Sequence, residues 1–228
     1  MASTSEPRVK SGETAPIEAC DTLMLDMDGT LLDLAFDNYI WLSRVPEAYA
    51  ETHGLSPDDA KERLYRWFHE LRGSLDWYCL DHWSDRLGLD VVELHREHRT
   101  RIDYLPGAED FLRTVHRRDL RVLLVTNSHR STLELKAEVT GVDAYVDGIY
   151  TSHDLGHPKE DQGFWQAMRE EEGFDPEHTL FVDDTLPVLQ SAELFGVRHL
   201  RHVTRPDSGG PARDRDRYPA IESVTELL

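Results

Sequence analysis

Long apolar runs are missing from this chain. No stretch approaches the roughly 18 consecutive apolar residues that a membrane-spanning helix needs, so no helical span is expected. Cysteine is nearly absent. Cys20 and Cys79 are the only two in 228 residues, too few for a disulfide framework, and that usage points to the cytoplasm. Positive charge is also scarce, with 25 Lys and Arg against 44 Asp and Glu and a net charge of −19. A surface that acidic repels polyanions, which argues against nucleic-acid polymers as partners. It does not exclude a small phosphate ester, which a few local charges in a pocket would hold. The simplest reason for the acidity is solubility or a salty cytoplasm. Met1 to Pro16 lack the apolar segment of a secretory signal, and their Ser, Thr, Glu, Lys and Pro read as a disordered tail.

Short apolar runs alternate with longer amphipathic stretches, which is the pattern of a parallel sheet with crossover helices. Strands are expected at Thr22–Leu25, Arg121–Thr126, Tyr145–Tyr150, Thr179–Val182 and Val197–Val203, short and rich in Leu, Val and Ile. Helices are expected at Gly107–Arg117, Ser131–Thr140, Gln162–Glu172 and Leu186–Phe195. Gly141 and Gly196 stand where C-cap glycines belong. Between the first strand and Pro106 no strand pattern occurs. Tyr39–His53, Ser56–Leu71 and Leu75–Leu87 read instead as helices, the second with Ser56 as N-cap and Pro57 at its first position. The fold class is therefore α/β, a Rossmann-like parallel core interrupted by an all-helical insert. The expected divisions are a tail over residues 1–17, a core of 18–33 and 104–228, and a helical cap over 34–103. Arg205 to Pro219, rich in Arg, Asp, Pro and Gly, reads as a loop followed by a short closing helix.

Chemistry concentrates at the strand ends. Asp26 follows the first strand directly, with Asp28, Gly29 and Thr30 after it; the glycine permits a tight turn that aims both carboxylates into one crevice. Alone, this is also how an ordinary Asp-Gly turn looks. Three other strands, however, lead into Thr126-Asn127, Lys159 and Asp183-Asp184. A nucleophilic carboxylate, a hydroxyl, an ammonium and a second carboxylate pair make up an inventory suited to phosphoryl transfer with Mg²⁺ held by oxygen ligands.

The set Asp26-Met27-Asp28-Gly29-Thr30, Thr126, Lys159 and Asp183-Asp184 resembles the four motifs of the haloacid dehalogenase superfamily, and the resemblance runs from about Thr22 to Val203. The helical insert stands where subfamily I members carry a C1 cap. Met27 to Asn38, Asp76 to Asp81, Pro158 to Gln162 and Thr204 to Ser208 further resemble the bacterial GMP/IMP nucleotidases of that superfamily. The resemblance implies a nucleophile at Asp26 and a general acid and base at Asp28. It also implies phosphoryl contacts from Thr126 and the Asn127 amide, and charge neutralisation by Lys159. Mg²⁺ is expected on Asp26, on the Asp28 carbonyl and on Asp184, with Asp183 holding a metal-bound water or Lys159; the reverse assignment of Asp183 and Asp184 stays open. Val188 lies where longer family versions have another aspartate.

A cap in such enzymes closes over the site and supplies specificity. Trp77, Tyr78, Trp83, Tyr39, Trp41, Trp67 and Phe68 all lie in the insert, most of them expected as helix packing, and Asp37 and Asn38 are candidates for contacts near the substrate. His129 and His157 stand near the motif loops but are poor Mg²⁺ ligands, because that ion prefers oxygen. The implied activity is hydrolysis of a nucleoside monophosphate, GMP or IMP. The alternatives are a phosphatase for a sugar phosphate or phosphoglycolate, and a silent phospho-ligand binder. Dehalogenation fits least, since that branch lacks the second aspartate and needs no Mg²⁺.

Overall fold

The computed structural model describes residues 16–228, so the expected tail lies, but for its last residues, outside the described part. Six parallel strands form one sheet in the order β3-β2-β1-β4-β5-β6. They are β1 (Thr22–Leu25), β2 (Arg121–Thr126), β3 (Gly148–Thr151), β4 (Thr179–Asp183), β5 (His199–Val203) and β6 (Ala220–Ile221). β1 is central and fully buried. Its alternate side chains face opposite layers: Leu23 and Leu25 pack into one core cluster and Met24 into the other.

The chain between β1 and β2 is helical. α1 (Ala35–Tyr39) runs through a π-helical turn at Ile40–Arg44 into α2 (Val45–His53), followed by α3 (Pro57–Leu71), α4 (Leu75–Tyr78), α5 (Leu80–Leu87) and α6 (Val91–Glu97). The π turn ends two residues before Pro46, whose missing N–H cannot make the regular bond one turn back. In α3 the Ser56 hydroxyl accepts from the Asp59 amide, and Ala60, Leu64 and Phe68 form a buried stripe at four-residue spacing. The segment has its own cluster of buried side chains, Phe36, Leu64, Phe68 and Trp83 among them.

One expected helix, Leu75–Leu87, is in fact two. The carbonyl of Trp77, which a continuous helix would give to Asp81, accepts instead from the Trp83 indole at 2.9 Å. Cys79 caps the second piece, its Sγ accepting from the His82 amide at 3.4 Å. The segment leaves and re-enters the sheet layer side by side, through Asp33 N to Asp103 O and Leu105 N to Leu31 O, both 2.9 Å.

The remaining helices are α7 (Ala108–Val115), α8 (Arg130–Thr140), α9 (Ser152–Leu155), α10 (Gln162–Glu172) and α11 (Leu186–Phe195). β3 starts three residues later than expected. The Asp147 carboxylate takes the Val122 N–H at 2.8 Å, and Val142–Tyr145 forms a 3₁₀ turn. The two-residue β6 was not expected, being too short to leave a pattern. The closing helix is a 3₁₀ turn, Val224–Leu227, with a Ser223–Glu226 capping box. No helix among the described residues is long and apolar enough to cross a membrane, and both cysteines are free.

Candidate active site

The carboxyl ends of β1, β2 and β4, with the loop beyond β3, converge on one cleft of about 940 Å³ beneath the helical segment. Asp26 extends β1 by one residue, its amide donating to Val182 O at 3.0 Å. Gly29 then turns the chain with φ +84°, and a Cβ there would meet Asp184 Oδ2 and Pro206 at 2.8 Å; only glycine fits.

Lys159 is 2 % exposed and carries the first ionic group. Its Nζ lies 2.5 Å from Asp26 Oδ1, 2.7 Å from Asp183 Oδ2 and 3.1 Å from Val125 O. Asn127 sets this loop: its Oδ1 accepts from the Lys159 amide at 2.9 Å, and its Nδ2 donates to Glu160 at 3.0 Å. Glu160 in turn accepts from Tyr78 of the helical segment at 2.6 Å. Thr126 is buried, its hydroxyl accepting from the Ser128 amide at 2.9 Å.

A second buried ammonium was not foreseen. Lys136 of α8, 1 % exposed, lies 2.6 Å from Asp28 Oδ1 and 2.8 Å from both oxygens of Asp37. The signal was available: Lys136 falls on the apolar stripe of α8 beside Leu133 and Leu135, where a cation needs a partner. Arg213, in the loop after β5, was missed for a different reason. Its Nη1 reaches Asp184 Oδ2 at 2.8 Å and Asp184 O at 2.7 Å, and no periodicity marks a loop arginine. The same loop gives Pro206 O to the Leu34 amide at 2.9 Å and Asp207 to Asn38 Nδ2 at 2.8 Å. The loop after β5 thus borders the site.

Asp26, Asp183 and Asp184 place carboxylate oxygens within 4.8 Å of one another. Three buried hard donors are the set that Mg²⁺ takes, and their mutual repulsion is relieved by a divalent cation. The Asp28 carboxylate lies outside this cluster, on Lys136. Burial raises Asp26 to about 8 against the pull of Lys159, with Asp183 and Asp28 adding to the rise. Burial also raises Asp28, to about 6, with Lys136 holding it down and Asp37 pushing it up. Asp183 and Asp184 stand at about 6, again raised mainly by burial. Both lysines are held charged, because their carboxylate partners outweigh the desolvation.

Of the other foreseen residues, Asp37, Asn38, Trp41, Phe68, Trp77, Tyr78, Trp83, Val188 and His129 line the cleft, joined by His69 and Arg72. Tyr39, Trp67 and His157 do not line it. The Asp37 carboxylate and the Asn38 Nδ2 are already engaged, by Lys136 and Asp207.

Residues 20–196 match the profile of the haloacid dehalogenase-like hydrolases. The chain belongs to that family. This hydrolase is 41 % identical over 208 residues to the GMP/IMP nucleotidase YrfG of Escherichia coli strain K12, covering 91 % of this chain and 94 % of the relative. Among solved structures it resembles a phosphatase of the same family from Thermococcus onnurineus, with a TM-score of 0.76 and 23 % identity over 91 % of this chain and 95 % of the other. It also resembles the magnesium-bound hydrolase YfnB of Bacillus subtilis, described as revealing interdomain movement, with a TM-score of 0.63 and 22 % identity over 91 % and 96 %. At those identities the two structures bear on the fold alone.

Proposed function

We propose that this hydrolase is a Mg²⁺-dependent 5′-nucleotidase that dephosphorylates GMP and IMP through an aspartyl-phosphate. The observation that carries the chemistry is the division of labour between Asp26 and Asp28, two carboxylates at one strand end with different cationic partners. Asp26 attacks phosphorus; the bond to the ester oxygen breaks, and that oxygen takes the proton of Asp28. Asp28, now a carboxylate, removes a proton from the water that attacks the aspartyl-phosphate, releasing phosphate and restoring Asp26. With a pKa of about 6, Asp28 is poised for both transfers. Lys159 screens the charge brought together by Asp26 and the phosphate, while Thr126 and the Asn127 amide hold phosphoryl oxygens. Asp26, Asp183 and Asp184 would hold Mg²⁺, with the Asp28 carbonyl as a further ligand. When bound, the ion supplies charge neutralisation at the carboxylates and the phosphate.

The substrate reading rests on the 41 % identical nucleotidase and on the cleft wall. Residues 34–103 act as the cap, whose Trp41, Phe68 and Trp77 offer flat apolar surface to a purine. Arg72 lies on the same wall, and guanidinium matches the O6 and N7 acceptors that guanine and hypoxanthine share. Two free cysteines and a metabolite substrate suit the cytoplasm. A panel of nucleotide and sugar phosphates, run with Mg²⁺ and with EDTA, tests the proposal. GMP and IMP should lead, and chelation should abolish turnover. Negligible GMP and IMP hydrolysis beside fast sugar-phosphate hydrolysis overturns the substrate; full activity in EDTA overturns the metal.

A further inference from the structure

A second cluster of donors lies at the boundary between the helical segment and the sheet layer. Cys79 at the α4–α5 break, His129 at the start of α8 and His153 in α9 each offer one ligand atom, and these atoms lie within 4.8 Å of one another. All three residues are half-buried. We propose that Cys79, His129 and His153 bind a soft divalent transition-metal ion, Zn²⁺ foremost, and that this ion ties the helical segment to the sheet. The proposal is separate from the nucleotidase reading and stands without it.

Three features support it. The donor chemistry is one thiol and two imidazoles, the set that Zn²⁺ selects and Mg²⁺ declines, so Mg²⁺ at the carboxylate cluster does not compete for this one. Second, His153 Nε2 is buried with no hydrogen-bond partner among the described residues, while Nδ1 meets the Ser152 hydroxyl at 3.2 Å. A buried, unpaired imidazole nitrogen is costly, and a metal ion would satisfy it. Third, the surroundings orient the donors. His129 Nε2 lies 3.8 Å from Asp81 Oδ2, the kind of carboxylate partner that metal-bound imidazoles keep, and the two rings meet edge to face at 4.8 Å between centroids.

Tetrahedral Zn²⁺ places its donors roughly 3.5 Å apart, so atoms within 4.8 Å of one another need to draw in by at most about 1.3 Å, within reach of side-chain rotation. Because Cys79 belongs to the helical segment and both histidines to the sheet layer, the ion binds only when the two are together. It therefore stabilises that arrangement by mass action.

The test is Zn²⁺ titration of the full-length chain in excess Mg²⁺, followed by calorimetry and by thermal midpoint, with Co²⁺ as a spectroscopic stand-in. One equivalent of Zn²⁺ should bind and raise the midpoint, and Co²⁺ should show thiolate-to-metal absorption in the near ultraviolet. Cys79→Ser, which keeps an N-cap acceptor for α5, should erase that band and weaken Zn²⁺ binding roughly tenfold or more. His153→Ala should weaken binding comparably while leaving the thiol in place. The proposal fails if Co²⁺ shows no thiolate band, or if both folded variants bind Zn²⁺ as tightly as the unaltered chain.

Discussion

Asp26 and Asp28 are two residues apart, yet they belong to different electrostatic regions. Asp26 faces Lys159 and the Asp183-Asp184 pair, and burial, opposed by Lys159 and aided by Asp183 and Asp28, raises it to about 8. Asp28 shares Lys136 with Asp37 and stands at about 6. The first region brings three carboxylates within 4.8 Å of one another and suits a divalent ion; the second sets two carboxylates on one ammonium. One tight turn can therefore supply a nucleophile and a proton carrier, provided each carboxylate meets a different ammonium.

Substituting the two aspartates in turn separates the two regions most strongly. Asp26→Asn should reduce turnover by about 10³-fold or more with the fold intact, by far-ultraviolet circular dichroism, and no phosphoenzyme should be trapped. Near-normal activity would sink the covalent mechanism. Asp28→Asn should cost about 10²- to 10⁴-fold, the range for loss of a general acid and base, while leaving Asp26 able to receive phosphate from a substrate with an acidic leaving group.

Lys136→Met tests the second region. Without the ammonium, burial and Asp37 push the Asp28 pKa further up. Turnover should fall by about 10²-fold, and the alkaline limb set by protonated Asp28 should move to higher pH. An unshifted pH profile would separate Lys136 from Asp28.

A smaller effect concerns the first region. The raised pKa of Asp26 means that the native state keeps a proton there which the unfolded chain releases near pH 4. In EDTA, stability should accordingly fall as pH rises from about 4 to 8. Mg²⁺ should offset that loss, and its titration midpoint should drop to lower concentration between pH 6 and 8. A Mg²⁺ affinity independent of pH would contradict the charge argument.

The smallest effect belongs to His95, beside the second region. Buried against Phe36 and Trp41, it is lowered to about 4, chiefly by desolvation, with Lys136 adding to the fall. The native state stays neutral while the unfolded chain protonates below about 6.5. Its contribution is whole above pH 6.5 and is lost as pH falls towards 4, an upper bound of about 3 kcal/mol. His95→Phe should flatten the stability slope in that window, read from urea unfolding at several pH values.

Much of this was legible in order along the chain. The central strands could be read because both of their faces are buried, which writes a continuous apolar run. The strand-end aspartates could be read because a parallel sheet puts such residues at one edge. Lys136 was less visible. Its spacing from Leu133 marks a buried face, but only the packing of α8 against the Asp28 turn says why a cation is there. Arg213 and the Tyr78–Glu160–Asn127 chain had no local signature at all.

By itself the sequence determined the α/β class, the helical segment, the C-cap glycines and the identity of the strand-end residues. These follow from periodicity, from φ-permissive glycine and from the position of a residue within its own strand, all local properties. The tertiary structure alone decided which cation each aspartate meets, that the loop after β5 borders the site, and that Cys79 comes within reach of two histidines more than forty residues away. Those facts depend on how separate elements are laid against one another, and distance along a chain does not carry that information.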